Sequence, residues 1–248
     1  MNAYHAFALV YDRMMEEIPY EEWCNFVTDQ LKKFGIEDGL MLELGCGTGT
    51  LTEMFDAKGF DMIGVDNSEE MLAEAVEKRE QSGRSILYLN QDMREFELIG
   101  KVDAIVSLCD SLNYITEKAD LLEVFKRVHD YLEKDGLFIF DINTIYKFQN
   151  ILSDNSFCET TENSAYTWEN YYDEEEKINE FYTNFFVENS DGLYERYEEF
   201  HYEKGYTIEE IKELLGMAGL EFEAVYDELT FEEPKENSQK IFFVAKVK

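Results

Sequence analysis

The stretch that decides the fold is LELGCGTGTL at residues 42–51, in which an apolar segment runs into three glycines at alternate positions. Glycine lets the backbone turn sharply and approach a ligand closely, and it leaves amide groups pointing outward where the next helix begins. The spacing therefore predicts a nucleotide-type loop between a strand and a helix.

Two well-known phosphate-binding patterns do not fit this loop. It lacks the Gly-Lys-Ser/Thr ending of a P-loop, and Thr50 stands where the dinucleotide pattern G-x-G-x-x-G has its last glycine. Glu43 lies two residues before the first glycine, where its carboxylate would repel a pyrophosphate and attract a cation. The loop therefore favours a cationic ligand, although a relaxed NAD-binding loop stays open as an alternative.

Strand-like apolar runs and helical patterns alternate along the first half of the chain. The apolar spacing from Leu121 to Leu132 predicts a helix that begins after Thr116 and ends at residues 134–136. Such alternation predicts a parallel sheet covered by helices on both faces, with ligand sites at the carboxyl ends of its strands. The predicted strands are residues 40–45, 61–66, 86–89, 102–107 and 137–141, and another helix is predicted over residues 20–34.

The chain after residue 150 predicts an inserted antiparallel sheet. Val, Tyr, Phe and Thr are frequent in three segments separated by polar turns, which is typical of strands. These segments are residues 166–172, 178–188 and 193–203. We expect residues 151–203 to be a β-rich lid on the substrate side, inserted into one domain formed by residues 1–150 and 204–248.

The last part of the chain returns to the main fold. Thr207 and Glu210 form a capping box at the start of a helix, and Gly219 is its expected stop. Residues 220–230 and 240–247 then predict two strands of an antiparallel hairpin that ends the sheet.

The composition of the 248-residue chain limits its partners. Its 22 basic and 55 acidic residues give a formal net charge of −33, which repels phosphate backbones and anionic lipid. No apolar run approaches the roughly 20 residues of a membrane helix, and the first residues lack a signal-peptide pattern. We therefore expect a cytoplasmic protein that binds neither nucleic acid nor a membrane. The four scattered cysteines and three histidines predict no disulfide framework and no metal site.

Acidic residues follow the second and third predicted strands. Asp66 lies about twenty residues after Gly45, where an acidic side chain can accept hydrogen bonds from two ribose hydroxyls. Asp92 follows the next strand, where a carboxylate can accept from an adenine amino group while the amide of Met93 serves a ring nitrogen. The two acids predict an adenosine pocket, and NAD would use Asp66 equally.

Three segments carry a resemblance to a known family: ELGCGTG at residues 43–49, GVDNSEEML at residues 64–72 and QDM at residues 91–93. Together they resemble the class I S-adenosylmethionine-dependent methyltransferases. The resemblance implies an α/β fold with a Rossmann-like, seven-stranded, mostly parallel sheet and S-adenosyl-L-methionine as cofactor. It assigns the methionine part to residues 45–49, the ribose to Asp66 and the adenine to Asp92 and Met93. The other cofactor contacts that it implies are Glu43, Gly45, Cys46, Gly47, Gly49, Asn67, Met71 and Leu108.

A looser resemblance points to small-molecule enzymes such as aminosugar and glycine N-methyltransferases. It rests on the opening YHAFALVYD at residues 4–12, on the helix that contains Trp23 and on the aromatic insert. It places Tyr4, Tyr11 and Trp23 over the methionine carboxylate, with Arg13 as the basic residue nearby. The partner that it implies is a small-molecule methyl acceptor.

The reaction implied by the resemblance is an in-line displacement at a sulfonium, which needs orientation and a water-poor cavity more than a covalent nucleophile. An amine acceptor must arrive neutral, and Tyr11, Asp110 or His201 could accept its proton directly or through water. Cys46 and Cys109 are expected to be small apolar wall residues. Two other interpretations stay open here: a regulatory protein that binds adenosylmethionine without turnover, and an NAD-dependent oxidoreductase.

Overall fold

The computed structural model describes residues 18–161, 163–189 and 191–247 of the chain. The strands are β1 (Gly39–Leu44), β2 (Phe60–Asp66), β3 (Leu87–Asn90), β4 (Val102–Ser107), β5 (Leu132–Asn143), β6 (Ser156–Thr160), β7 (Ser164–Asp173), β8 (Ile178–Glu188), β9 (Tyr194–Lys204), β10 (Glu221–Asp227) and β11 (Lys240–Lys246). The helices are α1 (Tyr20–Lys33), α2 (Thr50–Ala57), α3 (Glu69–Ser82), α4 (Lys118–Tyr131), α5 (Ile145–Lys147) and α6 (Ile208–Ala218). A 3-10 turn covers Ser111–Tyr114, and a π-helical turn, Phe148–Leu152, follows α5.

The central sheet has seven strands in the order β10-β11-β5-β4-β1-β2-β3. Strands β1 to β5 run parallel to their neighbours, whereas β11 pairs antiparallel with β5 and β10 antiparallel with β11. This arrangement confirms the predicted α/β fold with a mostly parallel sheet and a closing antiparallel hairpin. Because β1, β2 and β4 share one direction, the loops that follow them meet at the carboxyl edge of the sheet.

Apolar side chains cover both faces of the sheet, as the near-continuous apolar strands require. On one face, α4 and α6 pack over an aromatic group in which the rings of Phe138 and Phe140 are 4.6 Å apart and those of Phe140 and Phe243 are 5.0 Å apart. On the other face, α1 and α2 bury residues that include Val27 and Phe55. Each such side chain contributes about 1.5–3 kcal/mol when fully buried, so the carboxyl edge rests on a firmly packed base.

Some boundaries differ from the prediction for local reasons. Helix α4 ends at Tyr131, and β5 begins at Leu132 because Leu132 pairs with Val102 of β4 before the register shifts. Helix α1 ends at Lys33, one residue before its predicted end, and Phe34 beyond it is 40% exposed. The predicted capping box at Thr207 is present, and Gly219 ends α6 with a φ of 86°.

Strands β6 to β9 form a separate antiparallel sheet, which lies in the sequence between β5 and α6. We call it the insert sheet. Three of its strands were predicted, whereas β6 was missed because all five of its residues are exposed and give no alternation of buried and exposed positions. Tyr172 and the partly buried Trp168 pack on Phe148 and Leu152, so one face of the insert sheet turns toward the main fold.

The inner face of the insert sheet is defined by three cross-strand rows. The rows are Trp168–Thr183–Glu199, Asn170–Phe181–His201 and Tyr172–Asn179–Glu203. Most of these side chains are polar and yet buried, which distinguishes this face from the apolar core of the main sheet. None of the helices in the described part of the chain is both long enough and apolar enough to span a bilayer.

Candidate active site

The glycine loop turns sharply between β1 and α2. Gly45, Gly47 and Gly49 have φ values of 72°, 52° and 76°, a region that side chains with a Cβ rarely adopt. A Cβ on Gly49 would lie 2.3 Å from the hydroxyl oxygen of Tyr88. The amides of Gly45 and Cys46 donate to the carbonyl of Val65 at 2.8 and 3.0 Å, so the loop is held against the end of β2.

A cavity of about 540 Å³ opens at the carboxyl ends of β1 to β4. Its volume falls in the range of about 300–1,000 Å³ that is usual for small-molecule sites. The predicted site residues that line it are Glu43, Gly45, Cys46, Gly47, Asp66, Asn67, Met71, Asp92, Met93, Leu108 and His201. The structure thus gathers most of the predicted site residues around one space.

Glu43 is 3% exposed, and the hydroxyl of Thr52 donates to its Oε2. Burial raises the pKa of Glu43 to about 8. At neutral pH the carboxyl therefore holds a proton until a positive charge lies beside it, which would favour the ionised form. A buried carboxyl at the cavity wall fits the ammonium group of the amino acid part of adenosylmethionine.

Asp66 is the last residue of β2, and both of its carboxylate oxygens accept hydrogen bonds from backbone amides. Its Oδ2 accepts from the amide of Gly47 at 2.8 Å, and its Oδ1 accepts from the amide of Ser68 at 2.9 Å. Burial raises the pKa of Asp66, and these two amides oppose that rise. Each carboxylate oxygen accepts more than one hydrogen bond, so Asp66 can still accept from two hydroxyls of a ribose.

Asp92 carries a partner that the sequence analysis did not identify. The Nε of Arg94 donates to Asp92 Oδ1 at 2.9 Å, and this pairing lowers the pKa of the Asp92 carboxyl. Arg94 also reaches Asp120 near the start of α4, with Nη1 3.2 Å from Oδ2. All three side chains line the cavity, so the predicted adenine end is closed by a bridge between the β3 loop and α4.

His201 on β9 reaches the cavity from the insert sheet. Its ring stacks on Phe181 with centroids 4.8 Å apart and lies edge-on to Tyr114 at 5.8 Å. Its Nε2 lies 2.9 Å from Oε2 of Glu199. Of the two proton-transfer candidates within the described residues, Asp110 and His201, it is His201 that lines the cavity.

Asp110 is held in a buried ion-pair group and does not line the cavity. Its Oδ1 accepts from Nζ of Lys240 at 2.7 Å, and its amide donates to Asp141 Oδ1 at 3.2 Å, while Lys240 also pairs with Asp141. Burial raises the pKa of Asp110, but the charges of Lys240 and Lys147 outweigh it, and the net shift is downward. Asp110 is therefore an ionised member of a structural cluster, with a φ of 53° in the loop after β4.

Other predicted contacts lie away from the cavity or outside the described residues. Trp23 packs in the core, edge-on to Phe242 at 6.2 Å, and it is Tyr20, from the preceding turn of α1, that lines the cavity. Gly49, the last glycine of the loop, packs against Tyr88. Tyr4 and Tyr11 lie outside the residues that the structure describes.

Two cysteines lie on the cavity wall. Burial raises the pKa of the Cys46 and Cys109 thiols well above the ordinary value, so both are neutral at neutral pH. Neutral, buried thiols behave as small apolar side chains. No group of His, Cys, Asp and Glu that could hold a metal is found in the described ranges.

Several lining residues were missed because they lie in loops or on an exposed sheet edge, where no periodic pattern marks them. Ser111 and Tyr114 belong to the turn after β4, and Phe200 and Tyr202 flank His201 on β9. Their places directly after a parallel strand, or next to His201, were the signals that could have found them. The other lining residues that were not predicted are Tyr20, Thr48, Thr50, Leu51, Val65, Ser68, Gln91, Arg94, Ile115, Thr116 and Asp120.

Comparison with known proteins agrees with this site. Residues 41–136 match the family model described as Methyltransferase domain. A relative in Geobacillus sp. (strain WCH70) is 38% identical over 98% of this chain and 99% of its own length. YqeM of Bacillus subtilis (strain 168) is 36% identical over 98% of this chain and 96% of its own length, and both relatives carry methyltransferase names.

A solved structure extends the agreement to the whole fold. The crystal structure of a S-adenosylmethionine-dependent methyltransferase from Clostridium acetobutylicum ATCC 824 is 32% identical, covers 99% of both chains and superposes with a TM-score of 0.89. The glycine loop, the buried Glu43 and the doubly bonded Asp66 lie together beside the cavity of this fold. The chain belongs to the S-adenosylmethionine-dependent methyltransferases.

Proposed function

We propose that this methyltransferase transfers the methyl group of S-adenosyl-L-methionine to a small molecule that offers an amine or a hydroxyl. The observation that carries the proposal is that β9 of the insert sheet contributes Phe200, His201 and Tyr202 to the wall of the cavity. A cavity roofed in this way suits a compact acceptor, and aromatic rings attract cationic groups.

The charge of the molecule and a named relative point in the same direction. A net charge of −33 repels polyanions, although salt screens this effect beyond a Debye length of about 8 Å. A dTDP-3-amino-3,4,6-trideoxy-alpha-D-glucopyranose N,N-dimethyltransferase from Streptomyces venezuelae is 30% identical over 113 residues, 46% of this chain and of that protein. The small-molecule acceptor named for that relative is of the class that we propose here.

Some residues of the chain hold adenosylmethionine, and another residue deprotonates the acceptor. When bound, adenosylmethionine supplies an electrophilic methyl group on a sulfonium. Glu43 holds the ammonium end, residues 45–49 approach the methionine part, and Asp66 and Asp92 hold the ribose and the adenine. His201 accepts the proton of the acceptor, and the insert formed by residues 151–203 excludes water and selects the acceptor.

A labelling experiment tests the acceptor class. The full chain is incubated with adenosylmethionine that carries a deuterated methyl group and, in parallel, with the small-metabolite, protein and nucleic-acid fractions of a cell extract. We expect the label in the small-metabolite fraction, on nitrogen or oxygen as read by mass spectrometry. Label confined to the protein or nucleic-acid fraction would overturn the proposal. A Glu43→Ala variant controls for transfer that does not use the site.

A further inference from the structure

Glu199 is a buried carboxylate in which one of the two oxygens has a hydrogen-bond partner among the described residues. Its side chain is 3% exposed, its Oε2 lies 2.9 Å from Nε2 of His201, and its Oε1 has no hydrogen-bond partner among the described residues. Thr183 is its cross-strand neighbour, and the Thr183 hydroxyl likewise lacks a partner instead of bonding to Glu199. His201 is thus the hydrogen-bond partner of this carboxylate.

A buried carboxylate is costly unless a charge or a donor compensates it. The Nε2 of His201 lies at hydrogen-bond distance from Glu199 and can supply that donor. The same contact selects a tautomer of the neutral ring, because a carboxylate accepts and Nε2 must then donate. The cavity wall therefore holds an imidazole whose orientation and protonation both depend on a residue that does not line the cavity.

We propose that Glu199 is the positioning residue of His201: it holds the imidazole as the Nε2–H tautomer, so that Nδ1 takes the proton released when the acceptor is methylated. This inference rests on the proposed function. As the acceptor's lone pair forms its bond to the methyl carbon, the carbon–sulfur bond breaks and its electron pair stays on sulfur. The acceptor's proton moves to Nδ1, and the imidazolium, paired with Glu199, returns a proton to water after the product leaves.

Neighbours of the ring come from four elements of the described chain. Glu203 lies two residues further along the same face of β9, where Oε2 accepts from Nδ2 of Asn143 at 3.3 Å. Strand β8 presents Phe181 and Thr183, β7 presents Asn170 in the same row as His201, and the turn after β4 presents Tyr114. Glu199 is the ionisable group in this set that contacts His201 directly, which makes it the group to substitute.

Histidine NMR provides a direct test, because the chain has three histidines, His5, His129 and His201. The full chain is labelled with ¹⁵N-histidine, two-bond correlation spectra are recorded across the pH range, and a His201→Gln variant assigns the signal of interest. We expect the Nε2–H tautomer at high pH. In Glu199→Gln we expect the two tautomers to mix, because a glutamine amide can donate as well as accept and no longer requires Nε2 to carry the hydrogen.

Glu198→Gln is the matched control, because Glu198 lies on the other face of β9 with a side chain that is 50% exposed. Calorimetry with adenosylmethionine tests whether each variant is folded. If Glu199→Gln is not folded, Glu199→Asp, which keeps the charge, is used in its place. An unchanged tautomer in Glu199→Gln, or an Nδ1–H tautomer in the parent, would overturn the inference. Failure of the acceptor proposal is read separately, from the labelled fractions, so the two can be told apart.

Discussion

The glycine loop and the inner face of the insert sheet both bury polar groups, but they satisfy them differently. Beside the loop, Asp66 accepts from two backbone amides and Glu43 accepts from Thr52. On the inner face, buried polar atoms lack a hydrogen-bond partner within the described ranges; they belong to Trp168, Tyr172, Asn179, Thr183 and Glu199. Around the loop, the hydroxyl of Tyr88 is the exception.

This difference indicates what each region is built to do. A buried polar group without a partner costs about 1–3 kcal/mol, so the inner face gives up stability that the loop region keeps. The loop must hold one shape for one cofactor, and its bonds are complete without a ligand. The inner face reaches the cavity through His201, and its unsatisfied groups lie behind that residue, off the cavity wall.

The largest expected effect comes from adding a Cβ to the loop. Gly49→Ala forces a left-handed φ on a residue with a side chain and places the Cβ 2.3 Å from Tyr88 Oη, so we expect a loss of about 2–5 kcal/mol in the free energy of unfolding. Gly47→Ala has a φ of 52° but no atom within 4 Å of its Cβ, and should lose about 1–2 kcal/mol. Denaturant unfolding measures both, and equal losses would contradict a closely packed loop.

The acids at the strand ends give the next effect, on cofactor binding. Asp66→Asn should weaken adenosylmethionine binding by about 1.5–3 kcal/mol, or about 10- to 150-fold, because a charged hydrogen bond is lost. Asp92→Asn should cost less, because Arg94 already neutralises that carboxylate. Calorimetry compares the two with Asp61→Asn, an exposed position on the same strand as Asp66. Parent-like affinity in a folded Asp66→Asn variant would mean that the ribose lies elsewhere.

Each region contains one buried glutamic acid whose pKa is raised to about 8, Glu43 beside the loop and Glu203 on the inner face. Burial is the first cause in both, and the charge of Asp110 adds to it at Glu203. Between an unfolded pKa near 4.5 and the folded value, the unfolded chain loses its proton while the folded chain keeps it. Stability must therefore fall as pH rises through this window, and level off above pH 8.

We expect each group to contribute up to about 1.4 kcal/mol per pH unit to this loss, or about 2 kcal/mol from pH 6 to 8. Glu43→Gln and Glu203→Gln should each flatten the curve of unfolding free energy against pH. Glu198→Gln, an exposed position, should leave its slope unchanged. Adenosylmethionine should reduce the slope at Glu43 but not at Glu203, since its ammonium favours ionised Glu43; equal reduction at both would remove the distinction between the regions.

The sequence carried more information about the first region than about the second. The alternate glycines, Glu43 and Asp66 were readable because each meets a backbone or a ligand through local geometry that a short motif specifies. The alternation of strands and helices predicted a parallel sheet, and the resemblance to a known family implied its seven strands. Nine of the fifteen cavity residues between positions 43 and 93 were accordingly predicted, and Thr48, Thr50, Leu51, Val65, Ser68 and Gln91 were missed.

The structure of the insert could not be predicted from short sequence motifs in the same way. Strand β6 has no buried residue, and the inner face combines polar and aromatic side chains whose burial depends on the main fold packed against it. Asp110 was predicted beside the acceptor because it follows β4, but its side chain turns to Lys240, which lies 130 residues away in sequence. The partners of Asp92 and His201 likewise became visible only when the strands were in register.

The smallest expected effect separates the two regions most sharply, because it uses the same substitution in each. Thr52→Val removes the hydroxyl that donates to Glu43 and leaves a buried acceptor unsatisfied, so it should cost about 1–3 kcal/mol of unfolding free energy. Thr183→Val removes a buried hydroxyl that has no partner among the described residues, and a methyl group of similar shape takes its place. Its effect should lie between no change and a gain of about 1 kcal/mol, since the desolvation of an unpaired hydroxyl is no longer required. Thermal and denaturant unfolding at one pH measure the pair, and a loss at Thr183 as large as at Thr52 would show that the inner face is hydrogen-bonded after all.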